Sequence, residues 1–305
     1  MSMFFYMFPG STLSLSAQNS LTNCWLELGM TNDIALVTIC DTGTNALGVH
    51  DLFFSTNFAD PDAWEPFARC VPGQTNLAVS NLPPVQGFFS LGIIDAIRPG
   101  FTNFALPPED DEPSTNVSLP FTLVFYSSTN TIVYVNNNGN VTFDQAQSAY
   151  NPSALVSLAA QIIAPYWADV DTRNPASALV TFGTETVDDR QAFGVDWVNV
   201  GYYAINADRF LSCQLVIIDR SDIAPGDFDM EFNYFRIQWQ WGDASTGYAP
   251  RAGFSDGINS FELPGSGIAD SFDDSNPVTG LIYNSLNSTI PGRYVFHFRN
   301  GSPVQ

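Results

Sequence analysis

The sequence predicts an all-β protein: an antiparallel β-sandwich or jelly-roll-like domain preceded by a small β-rich N-terminal region. Three observations predict it. Short runs of β-branched and aromatic residues recur between clusters of Asn, Asp, Gly and Pro. Several of those runs alternate polar and apolar residues, the period of a strand with one buried face. Helical periodicity is confined to Ser153–Ile162, where it is weak.

In chain order, the runs Ile34–Cys40 and Val49–Phe54 read as short strands, and Pro61, Pro66, Pro72, Pro83 and Pro84 interrupt anything longer. Residues 1–87 are taken as the N-terminal region, 88–301 as the main domain and 302–305 as a tail. The stretch Leu106–Pro120, with its prolines and acids, reads as a linker or an extended lead-in. Beyond it, Phe121–Tyr126 and Thr131–Val135 read as strands, the second feeding a turn at Asn136–Asn140. Asn and Gly there tolerate the positive φ of a tight reversal before Val141–Phe143. Further strands are predicted at Leu179–Phe182, Phe193–Tyr203, Phe210–Asp219, Asp227–Trp241 and Arg293–Arg299. Over Asp227–Tyr234 the alternation has no fault, so Phe228, Met230, Phe232 and Tyr234 should face a core while Asp227, Asp229 and Glu231 face water. His297 should point outward in the same manner.

At 305 residues, 45% hydrophobic and 14% aromatic, the chain has ample material for a packed core. Its charge is one-sided: 31 acidic residues stand against 10 basic ones, all of them Arg, for a formal net charge of −21. Phosphate backbones and anionic membranes demand clustered Lys and Arg, so nucleic acid is excluded as a partner. No apolar stretch reaches the roughly 20 residues of a spanning helix, so membrane insertion is not expected either. An acidic surface attracts cations, and hard divalent ions take oxygen ligands from carboxylates and carbonyls. Calcium is therefore the cofactor to consider. The candidate ligands are Asp169 and Asp171, Asp219 and Asp222, and Asp227 and Asp229. The first pair opens like an EF-hand loop, but Arg173 occupies the third ligand position and no glycine follows. Arg173 and Arg220 can instead pair with these same acids in salt-bridged turns.

Catalytic signals are sparse. Without lysine, P-loop and Schiff-base chemistry are excluded, and histidine is limited to His50 and His297. The chain is expected to be no enzyme. Four cysteines allow three pairings in an oxidising compartment, of which Cys24–Cys40 closes the shortest loop. Cys213 sits in an apolar run, where a buried free thiol is at least as good a reading. Sequons at Asn116, Asn140, Asn287 and Asn300 permit glycosylation in a eukaryotic exterior. The opening MSMFFYMFPGSTLSLSAQ has an apolar patch and small residues near Ala17 but no basic start, which makes a poor signal peptide.

From about Phe88 to Gly301 the chain resembles a nidogen-like (NIDO) extracellular domain. The stretches that carry the resemblance are LPFTLVFYSSTNTIVYVNNNGNVTF, IIAPYWADVDTR, FGVDWVNVGYY, CQLVIIDRSD, GDFDMEFNYFRIQWQWGDAS, PRAGFSDG and IPGRYVFHFRNG. The resemblance implies a secreted or cell-surface, non-catalytic β domain of matrix or adhesion proteins, with an extracellular protein or glycan as partner, and it supplies no catalytic residue. The aromatics Tyr202, Tyr203, Trp239, Trp241 and Tyr248 are where a binding face is sought, although most such rings belong to the core. Two alternatives stand beside this reading: a calcium-dependent carbohydrate-binding module, and a glycan-processing enzyme using two carboxylates.

Overall fold

The computed structural model describes residues 94–304 continuously. Before them it describes residues 50–57, 59–60, 63–71 and 74 and the backbone of the early strands. The chain divides into two compact units, Met1–Ile94 and Asp95–Gln305. Among the described residues there is no α-helix, and every pair of named strands is antiparallel.

The first unit holds β1 (Ser16–Gln18), β2 (Cys24–Thr31), β3 (Ile34–Asp41), β4 (Asp51–Ser55), β5 (Glu65–Arg69), β6 (Asn76–Val79) and β7 (Phe88–Gly92). They form a four-stranded sheet in the order β1-β2-β3-β6 and a three-stranded sheet in the order β5-β4-β7. Asp51, 1% exposed, accepts Arg69 Nε at 2.7 Å and the Ile94 amide at 2.6 Å, so this buried carboxylate is fully engaged. Cys24 lies opposite Asp41 and Cys40 opposite Trp25 in the β2–β3 ladder. The side chains of Cys24 and Cys40, and hence their pairing, lie outside the described residues. Cys70 and Cys213 are free and buried.

The second unit is a two-sheet sandwich. Its strands are β8 (Phe104–Ala105), β9 (Val117–Phe125), β10 (Ser128–Asn136), β11 (Asn140–Thr142), β12 (Ile162–Trp167), β13 (Thr181–Val187) and β14 (Arg190–Tyr202). There follow β15 (Asn206–Asp219), β16 (Phe228–Ile237), β17 (Arg251–Ser255), β18 (Ser260–Glu262), β19 (Arg293–Arg299) and β20 (Ser302–Val304). One sheet runs β18-β17-β12-β11-β10-β9, the other β20-β19-β16-β15-β14-β13-β8. Aromatic side chains fill the space between them. Phe125 of the first sheet meets Phe298 of the second at 5.4 Å between ring centres, and Phe254 meets Phe296 at 5.3 Å. Buried polar tips are satisfied on backbone: Tyr234 Oη donates to the Pro165 carbonyl at 2.7 Å, and Trp197 Nε1 to that of Asn137 at 3.0 Å. The expected helix at Ser153–Ile162 is a single 3-10 turn, Leu155–Ser157. The apolar residues that suggested it, Leu155 and Ile162, pack with Ala164 and Trp167 in one cluster.

The alternating strand Asp227–Tyr234 differs from expectation in one respect. Phe228, Met230, Phe232 and Tyr234 are buried as predicted, but Asp227, Asp229, Glu231 and Asn233 are buried too, at 9% exposure or less. The acidic face is covered from two sides: the segment just upstream of β8 crosses the outer face at Glu231, while Arg220, Arg299, His297 and the Asn300 amide close over Asp229 and Asp227. Arg98 grips Glu231 through two hydrogen bonds of 2.7 and 2.9 Å, and Phe101 packs with Val187, Ala192, Val216 and Ile218. The stretch after Leu106 is likewise docked. The Thr172 amide donates to the Glu109 carbonyl while the Glu109 amide donates to Thr172 Oγ1, and the Ser114 amide donates to the Val135 carbonyl while the Val135 amide donates to Ser114 Oγ. Residues 107–116 serve as a lead-in to β9, which begins at Val117 inside the expected linker and includes Pro120. Pro107, Pro108 and Pro113 withhold backbone donors before it, while carbonyls such as that of Glu109 still reach partners.

Candidate metal centre

The turn at residues 136–140 is the hub of the most acidic site. Gly139 takes φ +76°, the reversal expected of it, but the turn is buried: Asn136, Asn137 and Asn140 are 0% exposed and Asn138 is 1%. A β-carbon at Gly139 would stand 1.8 Å from the Tyr166 carbonyl oxygen, so only glycine lets this turn close on the end of β12. The asparagines then act as connectors. Asn137 Nδ2 donates to the carbonyls of Val170, at 2.8 Å, and of Asp110. Asn138 Nδ2 donates to Asp111 Oδ1 at 2.8 Å, while its Oδ1 accepts the Val170 amide at 2.9 Å.

These bonds bring Asp110 and Asp111, from the lead-in, against Asp169, just after β12. One carboxylate oxygen of each lies within 4.8 Å of those of the other two. Asp169 is 1% exposed, and its Oδ2 is buried without a hydrogen-bond partner; Asp110 Oδ1 is in the same condition. Burial, reinforced by neighbouring carboxylates, pushes the Asp110 carboxyl up to about 6, against the pull of Arg173. Burial likewise raises Asp169 to about 6, partly offset by the nearby hydroxyl of Ser245, which is itself bonded to Gly242. The facing cation is Arg173, and it is shared. Its Nη2 lies 2.9 Å from Asp110 and 2.6 Å from Asp171, and Asp171 also accepts the Ile205 amide at 2.8 Å. Asp171 is therefore neutralised, whereas Asp169 is not.

Of the other predicted ligands, Asp222, Asp227 and Asp229 have arginine partners, the alternative anticipated for Arg220, whereas Asp219 is held by a neighbouring serine. Asp219 caps the turn through the Ser221 amide, at 2.9 Å, and hydroxyl. Asp222 bridges Arg190 and Arg220 at the surface, and their hydrogen bonds hold its carboxyl down at about 2. Asp229 meets Arg220 at 2.5 Å, Arg299 at 2.6 Å and His297 Nδ1 at 2.7 Å. Asp227 Oδ1 accepts the Asn300 amide at 2.7 Å, leaving Oδ2 with Arg299 4.0 Å away. Of the six, Asp169 alone falls in the cluster. Its partners Asp110 and Asp111 were missed because they sit in a segment that reads as a linker. The signal available was the pair of adjacent acids itself, with nothing to say what it faces.

Of the sequons, Asn116, Asn287 and Asn300 are exposed. Asn140 is not available, because it is fully buried and bonded to Asn136 and Asn138. The candidate aromatic face divides. Tyr202 and Trp239 are core, Tyr203 and Trp241 are half-buried, and Tyr248 is 51% exposed. One catalytic spacing escaped the sequence reading: Gly253-Phe254-Ser255-Asp256-Gly257 matches the nucleophile elbow G-x-S-x-G. Ser255 is 1% exposed, ends β17 and accepts the Gly257 amide at 3.0 Å, and the chain turns into β18 with no helix. The strand–turn–helix context that exposes such a serine is missing at this position. A two-carboxylate mechanism at Asp169 meets the same obstacle, since a sugar cannot reach a carboxylate that is 1% exposed.

Among the described residues no helix is long and apolar enough to cross a membrane. A two-sheet antiparallel sandwich with an acidic, asparagine-tied corner defines the class as a β-sandwich module. The profile of the family described as "NIDO related" matches residues 95–261, more than half of the chain, and the chain belongs to that family. It is similar to alpha-tectorin of mouse and of human, 27% identical over 226 residues in each case, and to that of chicken, 26% identical over 224. These alignments cover 62% of this chain and 10% of each relative, so the chain spans about a tenth of the length of the curated relatives it matches. No solved structure matches significantly.

Proposed function

We propose that this protein is an extracellular, non-catalytic module that works by adhesion, binding a matrix or cell-surface protein or glycan. The observation that carries the reading is the match of residues 95–261 to the NIDO-related family, together with the similarity to part of alpha-tectorin. The charge of −21 supports it, since such a surface suits a salty exterior and repels nucleic acid. Exposed apolar side chains on the loops, Tyr248, Ile258, Ile268 and Val278, offer contact area beside the acidic surface. The test is to express the full chain in secreting cells, recover it from the medium, and measure its binding to immobilised matrix proteins and to a glycan array, with calcium and with chelator. Saturable binding to a matrix protein is expected. Glycan binding that chelator abolishes would favour the carbohydrate-binding alternative, and retention of all the protein inside the cells, or turnover of a glycan, would defeat the proposal.

A further inference from the structure

We propose that Asp110, Asp111 and Asp169 form a calcium site that fastens the lead-in segment to the corner of the sandwich. A group of acids alone does not make a site: Asp171, Asp222 and Asp229 each have arginine partners, and Asp110 itself offers Oδ2 to Arg173. Asp169 is different. It is 99% removed from solvent by its 1% exposure, yet Oδ2 accepts nothing. Leaving a charged oxygen buried and unpaired is among the costliest arrangements available to a fold. The backbone makes room for it, because Gly242 carries no β-carbon where one would stand 3.0 Å from that oxygen. Asp110 Oδ1 is the second bare oxygen in the cluster.

The donor set fits a hard cation. All three ligand atoms are carboxylate oxygens, and the 4.8 Å that contains them matches the span across a calcium shell, roughly two bonds of 2.3–2.6 Å. Calcium tolerates an irregular shell completed by water, whereas magnesium demands a near-ideal octahedron with bonds of about 2.1 Å. The ligands are also braced from behind: Asn138 Nδ2 holds Asp111 Oδ1, and the Asn137 amide group holds the backbone of Asp110 and Val170. Val170 bridges to Tyr202 of the other sheet, so the cation would join the lead-in, the end of β12 and the end of β14. The inference stands independently of what the module adheres to.

The experiment is isothermal titration of the full chain, stripped with chelator, with calcium chloride and separately with magnesium chloride, paired with melting curves and limited proteolysis. Wild type is expected to bind one calcium, to melt higher in calcium than in chelator, and to be cut more slowly within residues 106–116 when calcium is present. Asp111→Asn and Asp169→Asn should each weaken calcium binding at least tenfold, while Asp222→Asn, whose carboxylate serves Arg190 and Arg220, should bind like wild type. Asp111 is only partly buried, so its variant tests the site even if Asp169→Asn folds poorly. Absence of calcium binding by wild type, unchanged binding by Asp111→Asn, or tighter binding of magnesium than of calcium would overturn the assignment.

Discussion

Asp196 on β14 and Gln214 on β15 stand directly opposite each other on the covered outer face of the seven-stranded sheet, Gln214 Nε2 donating to Asp196 Oδ1 at 2.8 Å. The row continues across the sheet. Gln214 Oε1 accepts Asn233 Nδ2 at 3.0 Å, and Asn233 Oδ1 accepts Arg293 Nε at 3.0 Å. Asp196 ends this row without a cation of its own. Burial drives its carboxyl up to about 7, which the Gln214 bond only partly offsets.

That environment predicts a pH-dependent stability. The folded state binds the Asp196 proton more tightly than the unfolded chain, whose carboxyl titrates near 3.8. Its contribution is therefore fully present below about 4 and is lost as pH climbs through about 7. Asp196→Asn mimics the protonated acid and keeps an oxygen for Gln214. It should stabilise the protein by roughly 2–4 kcal/mol at pH 8 and by almost nothing at pH 3. Melting curves of both proteins at the two pH values check this, and coincident curves at pH 8 would contradict it.

What the sequence disclosed and what it hid divide along a physical line. The strands from β14 to β16 and β19 were legible because alternation is local: each residue's face follows from its neighbours in sequence. The fate of the outer face was not. Asp227, Asp229 and Glu231 look like a solvated row until Arg98, from far upstream, closes on Glu231, and Arg220, His297, Arg299 and the Asn300 amide, from neighbouring turns and strands, close on the other two. The same holds for Asp169, whose sequence neighbours suggested Asp171 as co-ligand. The Asn137–Asn138 turn instead brings Asp110 and Asp111 beside it, and Arg173 takes Asp171 away. β12 hid for another reason: Ile162–Trp167 is buried along its whole length, so it shows no alternation.

Gly139→Ala tests the turn that builds the acidic corner. The added methyl would sit 1.8 Å from the Tyr166 carbonyl oxygen at a φ of +76°, and backbone cannot yield as a flexible side chain can. Destabilisation of at least about 2 kcal/mol is expected in urea unfolding. Gly247→Ala, also at positive φ but with open space around it, should cost only about 1 kcal/mol and serves as the comparison.

Glycan occupancy should follow exposure and not the sequon count. In chains secreted by eukaryotic cells, Asn116, Asn287 and Asn300 should carry glycan, because their side chains are exposed. Asn140 should not, since it is 0% exposed and locked between Asn136 and Asn138. Peptide mass spectrometry after deglycosylation in heavy-oxygen water reads each site, and full occupancy at Asn140 in folded protein would show that this turn is open.

The Arg98–Glu231 pair is the strongest candidate for what holds residues 95–105 onto the sheet. Burial alone would raise the Glu231 carboxyl, but the two hydrogen bonds from Arg98 and the charges of Arg98 and Arg293 overcome it and keep the group below the usual range. Arg98→Met leaves a carboxylate whose side chain is 5% exposed with only Asn233 at 3.2 Å and Arg293 at 3.7 Å. A cost of about 3 kcal/mol is expected, most of it the penalty of a charge buried without its main partner. Adding Glu231→Gln removes that charge, so the double variant should recover at least about 1 kcal/mol relative to the sum of the single changes. Urea unfolding of the four proteins gives the coupling directly, and strict additivity would mean that Phe101 and its apolar contacts, not the ion pair, hold this segment down.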